Sequence, residues 1–125
     1  MIIRESAEDY LESIYVLQRK HGSARSVDIA NSRCVTKASV SVAMKQLREN
    51  GYISMGPDSA ITLLPKGLEV AQRVFERHQV ITQTLVSIGV PEEIAAEDAC
   101  KIEHDISNET FQAMKRCLEA KSSSK

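Results

Sequence analysis

Several features that reveal a function at once are missing from this chain of 125 residues. No run approaches the roughly 18 to 20 uncharged apolar residues of a membrane helix. The opening stretch MIIRESAEDY turns acidic too early for a secretory signal. The three cysteines lie at unpatterned spacings, which argues against a disulfide framework and for reduced thiols. These absences predict a compact cytoplasmic protein without a membrane partner.

A catalytic signature is missing as well. The five glycines form no phosphate-binding loop, and no nucleophile stands inside a recognised catalytic motif. We therefore expect neither an enzyme nor a protein that acts on a small-molecule substrate.

An excess of positive charge, the usual mark of nucleic-acid binding, is also absent. The 16 Lys and Arg residues oppose 17 Asp and Glu residues, so the net charge gives no support for a nucleic-acid partner. The charges are unevenly distributed, however. Between Arg19 and Arg48 the chain holds seven permanent cations and a single acidic residue, Asp28. This local basic segment keeps DNA binding open.

The pattern of the N-terminal half predicts a winged helix-turn-helix. A first helix is expected over residues 6 to 20 with Ser6 as its N-cap, and two short helices are expected to begin at caps Ser26 and Thr36. Behind the third helix, apolar residues alternate with polar ones on both sides of the turn GPDS, which predicts a β-hairpin. In such a domain the third helix enters the major groove and the hairpin contacts the flanking backbone.

The C-terminal half is predicted to be helical. A long helix is expected over residues 66 to 88, followed by a helix that begins near Pro91 and continues to Ile106. A last helix is expected behind the cap Ser107. The fold class is therefore mainly α, with a winged-helix part fused through the long helix to a helical part.

The segment DACKIEHDIS carries a thiol, a carboxylate and an imidazole within reach of one another. Cys100, Glu103 and His104 share an arc of roughly 100° on a helical wheel, because residues three and four apart are neighbours. The predicted buried stripe of this helix lies elsewhere on the wheel. It consists of Ile94, Ala95, Ala99, Ile102 and Ile106. The group suits a divalent transition metal, and it is also typical of a solvated helix face.

Two other helices carry side chains of the ligand type. Asp9 and Glu12 lie three residues apart on the first helix, and His78 lies on the long helix. The two acidic residues are equally explained as partners of the helix dipole, and the histidine as a surface residue. The spacing alone leaves these alternatives open.

Four stretches in register resemble the diphtheria toxin repressor family of metal-dependent transcriptional regulators, including its manganese-regulator branch. They are SAEDYLESIYVL, RSVDIANSRCVTKASVSVAMKQLRENGYI, LLPKGLEVAQRVFERHQVI and DACKIEHDIS, and together they span about residues 5 to 118. The resemblance implies the short, two-domain form of the family. A winged-helix DNA-binding domain is expected over residues 1–64, and a helical metal-binding and dimerisation domain over residues 65–125.

The resemblance also implies a set of metal ligands, to which the first helix contributes. They are Asp9, Glu12, His78, Cys100, Glu103 and His104. One or two ions per subunit are expected, tying the first helix to the long and fifth helices. Cys100 resembles the iron-responsive branch, whereas Asp9 with Glu12 resembles the manganese-responsive branch. Because a thiolate is a soft ligand, we expect Fe²⁺ in preference to Mn²⁺, with Co²⁺, Ni²⁺ or Zn²⁺ able to bind in vitro.

Residues matching the family's DNA-contacting positions lie on and around the third helix. They are Arg25, Ser26, Thr36, Lys37, Ala38, Ser39, Ser41, Val42, Lys45 and Arg48. The other interpretation is that Thr36 merely caps the helix and that Ser39 and Ser41 face solvent. The wing turn contains Asp58 and no cation, so its phosphate contacts are expected to be either weak or taken over by Arg25 and Arg48.

The expected function is a homodimeric, metal-activated repressor of metal-uptake or metal-homeostasis genes that binds a palindromic operator. The dimer surface is expected to include Leu85, Ile88, Phe111 and Met114. Two alternatives remain. One is a winged-helix regulator in which Cys100 acts as a redox switch. The other is a metal-binding helical protein that does not act on DNA.

Overall fold

The computed structural model describes residues 5–123 of the chain, and the side chains of residues 6–121. Within this part the predicted mainly α architecture with a small hairpin is confirmed. In chain order the elements are α1 (Glu5–His21), α2 (Ser26–Arg33), α3 (Lys37–Glu49), β1 (Ile53–Met55), β2 (Ile61–Leu63), α4 (Pro65–Ser87), α5 (Glu92–Ile102) and α6 (Asn108–Ser123). None of the described helices is long and apolar enough to cross a membrane.

The residues form two compact units. The first ends at Arg73 and the second begins at Val74, so the division falls within α4. The core of the first unit is built from apolar residues at helical spacing on α1, α2 and α3, together with one residue of each strand. Its large, deeply buried side chains are Leu11, Ile14, Ile29, Val40, Met44, Leu47, Ile53 and Ile61. Each such side chain contributes about 1.5 to 3 kcal/mol when it is fully buried.

The helix caps of the first unit agree with the sequence at one of three places. Thr36 caps α3 as predicted, because its Oγ1 accepts the backbone N–H of Ser39 at 3.1 Å. Ser26 is not a cap but the first residue of α2. The carboxylate of Asp28 instead accepts the backbone N–H of Arg25 at 3.1 Å. The predicted cap Ser6 lies inside α1, which begins one residue earlier at Glu5.

The turn between α2 and α3 is tight. Cys34 ends α2 in the left-handed region with φ 55°, and the N–H of Val35 returns to the carbonyl oxygen of Ala30 at 3.2 Å. A residue with a Cβ rarely adopts this conformation, so packing must hold it in place. The turn directs the chain into α3 within three residues.

The wing is an antiparallel hairpin in which Ile53 pairs with Leu63 and Met55 pairs with Ile61. The start of α4 packs closely behind it. A Cβ at Gly67 would overlap the carbonyl oxygen of Tyr52, so this position of α4 requires glycine. The close approach holds the wing against the rest of the first unit.

The second unit consists of the C-terminal part of α4 with α5 and α6. Its buried apolar residues are Val74, Val80, Ile81, Ala95, Ala99 and Phe111. Ser107 caps α6 as predicted, since its Oγ accepts the backbone N–H of Thr110 at 3.1 Å. Two expectations are wrong. Ile94 is 50% exposed rather than buried, and Phe111, expected on a dimer surface, is 3% exposed within its own unit.

Helix α5 is shorter than predicted. It stops at Ile102, and the N–H of Asp105 bonds to the carbonyl oxygen of Ile102 at 2.9 Å in the turn that follows. The expected continuation to Ile106 is therefore wrong. Glu103 is the C-cap residue of α5, and His104 lies in the turn.

Candidate metal centre and DNA interface

Three residues of the predicted ligand set converge in the second unit. His78 comes from α4, Cys100 from the last turn of α5, and Glu103 from its C-cap. One ligand atom of each lies within 4.8 Å of the others. Glu103 keeps α-helical backbone angles and its N–H bonds to the carbonyl oxygen of Ala99 at 2.9 Å, so Cys100 and Glu103 are neighbours three residues apart on one helical turn.

Glu103 is the centre of this cluster. Its side chain is fully buried, and Oε2 lies 3.1 Å from Nδ1 of His78. Its Oε1 lies 3.3 Å from Nε2 of His104, a side chain that is only 4% exposed. Glu103 and His104 therefore do not lie on a solvated face, which was one of the interpretations that the sequence left open.

The environment of Glu103 fits a divalent metal ion. A buried carboxylate is costly unless it is paired or coordinates a cation. His104 approaches Oε1 at an ion-pair distance but without hydrogen-bond geometry, so Oε1 accepts no hydrogen bond from the described residues. Ligand atoms that bind one ion at about 2.1 Å are about 3.0 to 3.4 Å apart. The separations of 3.1 and 3.3 Å at the two carboxylate oxygens match this range. An exposed thiol at Cys100 adds a soft donor to two imidazoles and one carboxylate.

Arg77 supports the turn that carries two of these ligands. Its Nη1 donates to the carbonyl oxygens of Glu103 at 3.1 Å and of Ile106 at 3.4 Å. Its guanidinium carbon lies 5.3 Å from the centre of the Phe111 ring. This role is hard to predict from the sequence, because the acceptors are backbone carbonyls more than twenty residues away. The one available clue is that the last carbonyls of a helix attract nearby basic side chains.

The other two members of the predicted set, Asp9 and Glu12, belong to α1 in the first unit. The side chain of Asp9 is 12% exposed, and its Oδ2 lies 3.3 Å from Nη2 of Arg33. Glu12 is half-buried and lines a shallow cavity of about 200 Å³ together with Ser13 and Ser32. On α1, therefore, Asp9 is largely buried in an ion pair and Glu12 is half-buried.

The residues expected to contact DNA lie at the surface of the first unit. Val40, Met44 and Leu47 bury one side of α3. The residues of the predicted interface on and just before α3 are all exposed, namely Thr36, Lys37, Ala38, Ser39, Ser41, Val42, Lys45 and Arg48. Ser39 is engaged in the cap, since its Oγ accepts the hydroxyl of Thr36 at 2.9 Å. Ser26 is half-buried.

Arg25 is exposed but already has an acidic neighbour. Its Nη2 lies 3.8 Å from Oδ2 of Asp58 in the wing turn. The backbone of Arg25 also bridges to Ala60, and Asp58 Oδ1 accepts the N–H of Ala60 at 3.2 Å. The wing turn therefore sets an anion beside the arginine that was expected to replace its phosphate contacts.

Comparison with known families assigns both halves of the chain. Residues 3–61 match the model described as iron dependent repressor, N-terminal DNA binding domain. Residues 64–123 match the model described as iron dependent repressor, metal binding and dimerisation domain. The chain belongs to the iron-dependent repressor family. This confirms the resemblance drawn from its motifs, and the family is one of transcriptional regulators rather than enzymes.

Individual relatives agree with this assignment. The transcriptional regulator MntR of Salmonella typhimurium is 40% identical over 110 residues, covering 88% of this chain and 70% of MntR. The crystal structure of T. acidophilum IdeR superimposes with a TM-score of 0.80 at 29% identity, covering 95% of this chain and 55% of IdeR. The apo form of the manganese-activated repressor ScaR superimposes with a TM-score of 0.73 at 25% identity, covering 88% of this chain and 53% of ScaR. The chain thus spans about half the length of these solved structures.

Proposed function

We propose that this chain is a homodimeric, metal-activated repressor that binds operator DNA through α3. The observation that carries the proposal is the buried carboxylate of Glu103, which is placed between His78 and His104 with one oxygen lacking a hydrogen-bond donor among the described residues. A divalent ion would balance this carboxylate. The family's metal-binding and DNA-binding domains supply the regulatory context.

The proposed ligands are His78, Cys100, Glu103 and His104 of the second unit, with Asp9 and Glu12 of α1 added on the resemblance. One or two ions per subunit suit six donors, because a carboxylate has two oxygens and is able to bridge. Metal and operator then become linked ligands, and each raises the affinity of the chain for the other by the same factor. The apo chain is expected to bind DNA more weakly.

For the identity of the ion, we propose Mn²⁺ as the activator and Fe²⁺ as its principal competitor. The family models are described as iron dependent repressor and ScaR as manganese-activated, so the relatives do not single out the iron that was expected from Cys100. The thiolate still favours softer ions than manganese. Binding and activation are therefore expected to differ, with Co²⁺ and Zn²⁺ binding tightly in vitro.

On the DNA side, we propose that Lys37, Lys45 and Arg48 contact phosphates, and that small residues of α3 approach the base edges. Two copies of α3 in a homodimer would read two half-sites of a palindromic operator. The regulated genes are proposed to serve metal uptake or homeostasis. A regulator of this kind acts on chromosomal DNA, so the cytoplasm is its proposed location.

The test is a mobility-shift titration with duplex operator fragments, carried out without oxygen in Mn²⁺, Fe²⁺, Co²⁺ and Zn²⁺. We expect added metal to strengthen DNA binding by the native chain. We expect added metal not to strengthen DNA binding by Glu103→Gln. Glu97→Gln, which removes an exposed carboxylate of the same helix, is the matched control and is expected to behave like the native chain. Equal DNA binding by Glu103→Gln and the native chain in every metal would disprove the proposal.

The redox alternative is tested with the same fragments. Cys100 is exposed, so an oxidant is able to reach its thiol. Its sulfur lies within 4.8 Å of ligand atoms of His78 and Glu103. A redox switch predicts that, with no metal present, peroxide abolishes DNA binding by the native chain. It also predicts that DNA binding by Cys100→Ser then resists peroxide. The proposed function predicts that Cys100→Ser still needs metal to bind DNA.

A further inference from the structure

Arg33 makes three contacts with α1, all of them inside the first unit. Its Nη2 lies 3.3 Å from Oδ2 of Asp9, and its Nη1 donates to Oγ of Ser13 at 3.2 Å. Its guanidinium carbon also lies 5.5 Å from the centre of the Tyr10 ring. A single arginine at the end of α2 therefore spans more than one turn of α1.

The ion pair with Asp9 is shielded from solvent. The side chain of Asp9 is 12% exposed and that of Arg33 is 30% exposed, so water screens the pair less than it screens the exposed pairs of the surface. The approach of Arg33 to this carboxylate is through Oδ2. A permanent cation thus lies beside this carboxylate, because arginine stays protonated.

We propose that Arg33 competes with the metal ion for the carboxylate of Asp9 and thereby sets the metal concentration at which the chain is activated. This inference rests on the proposed function, in which Asp9 is a ligand. Two cations drawn to one carboxylate oppose each other, so the ion pair must weaken or the metal must bind beside a positive charge. Either way, the guanidinium lowers the affinity for metal.

The position of Arg33 connects this competition to DNA recognition. Arg33 is the last residue of α2 and is followed by Cys34, whose left-handed conformation turns the chain toward α3. The pair with Asp9 thus ties α1 to the turn of the helix-turn-helix. A metal ion bound at Asp9 would loosen this tie, and Ser13 and Tyr10 would still hold the guanidinium.

The test measures metal affinity by calorimetric titration of the full apo chain with Mn²⁺, without DNA. Arg33→Gln is expected to raise the affinity about two- to fivefold, the range of one ion pair near the surface. Arg33→Met keeps an unbranched apolar stem against Tyr10 and is expected to give the same gain if Arg33→Gln folds poorly. Arg33→Lys keeps the charge and is expected to stay near the native value.

The matched control is Arg73→Gln. Arg73 also pairs with a carboxylate of α1, Glu8, at 2.8 Å, but Glu8 is not a proposed ligand. This variant changes the net charge by the same amount and is expected to leave metal affinity unchanged. A gain in both variants would mean that net charge alone matters, and it would overturn the proposal.

A double-mutant cycle separates this inference from the proposed function. Asp9→Asn alone is expected to lower metal affinity, and in that background Arg33→Gln is expected to add nothing. If Asp9→Asn lowers the affinity while Arg33→Gln and Arg33→Met leave it unchanged or lower it, the competition is wrong and the ligand set stands. If Asp9→Asn has no effect, Asp9 is not a ligand, and the inference fails together with that part of the proposed function.

Discussion

The charged residues of α3 and those at the end of α5 are used in opposite ways. On α3 of the first unit, Lys37, Lys45 and Arg48 are exposed, and they lie opposite a purely apolar buried side. In the second unit, Glu103 and His104 are buried to 0% and 4% side-chain exposure. Exposed charges cost the fold little, whereas a buried carboxylate without a full set of partners is held at a cost in stability.

This difference separates the two parts of the proposed activity. Substitutions on the exposed side of α3 should change DNA affinity and leave the fold alone. Substitutions around Glu103 should change metal affinity, and they should also change the stability of the apo chain. The contrast is testable because each kind of variant has a measurement that it should not affect.

The largest effect is expected at Arg77, which tests the buried side of the comparison. Arg77→Met removes the donor to the carbonyl oxygens of Glu103 and Ile106, so the turn with two ligands is no longer fixed. We expect metal affinity to fall about 10- to 100-fold, as when other groups that orient metal ligands are lost. Calorimetric titration with Mn²⁺ measures this, and the Co²⁺ absorption spectrum reports whether the thiolate still binds.

Two controls define that result. Arg77→Lys keeps one donor for the carbonyls and is expected to recover part of the affinity, whereas the exposed Arg116→Met should have no effect. At saturating metal the DNA affinity of Arg77→Met should return to the native value. Native metal affinity in Arg77→Met would show that the turn does not need this support.

Periodicity was enough to predict the elements of the first unit, since α1, α2, α3 and the hairpin appear where the apolar spacing puts them. The residue that caps each helix was harder to predict, because neighbouring polar side chains compete for the same backbone N–H groups. Ser26 looked like a cap, but the carboxylate of Asp28 reaches back to the N–H of Arg25 and takes that role. Thr36 and Ser107 were correctly predicted because each stands directly before the helix that it caps.

The burial of the metal cluster could not be predicted from a helical wheel. The wheel assumed that α5 continues to Ile106, and a continuous helix would keep Cys100, Glu103 and His104 on one arc. Glu103 still has helical backbone angles, whereas His104 lies in the turn behind α5 and takes a position that the wheel does not describe. Glu103 also packs against His78 of α4, a contact that the wheel of a single helix does not include. The contact of Arg77 with the turn could not be predicted either, because its acceptors are backbone carbonyl oxygens, which every residue carries.

A smaller effect is expected at Lys45, which tests the exposed side of the comparison. Lys45→Ala should weaken DNA binding roughly fivefold and reduce the dependence of log affinity on log salt by about one, as expected for one lost phosphate contact. Fluorescence anisotropy at several salt concentrations with saturating Mn²⁺ measures both. The metal affinity and the thermal midpoint should stay native.

Lys101→Ala is the control for Lys45, because it removes an exposed lysine of α5 in the second unit. It should leave the salt dependence unchanged. If Lys45→Ala also lowered metal affinity, the separation between an exposed DNA face and a buried metal cluster would not hold.

The smallest effect is expected at Asp58, where the exposed side of the comparison carries a charge of the wrong sign for DNA. Asp58→Asn should raise DNA affinity about twofold, because Arg25 loses its partner at 3.8 Å and becomes available to a phosphate. The gain should shrink as salt rises, since exposed charges are screened. Glu119→Gln makes the same charge change on an exposed residue of α6 and should have no effect. An unchanged affinity for Asp58→Asn would mean that Arg25 does not contact DNA, and Arg48 would then be the remaining candidate for the phosphate contact that the wing turn lacks.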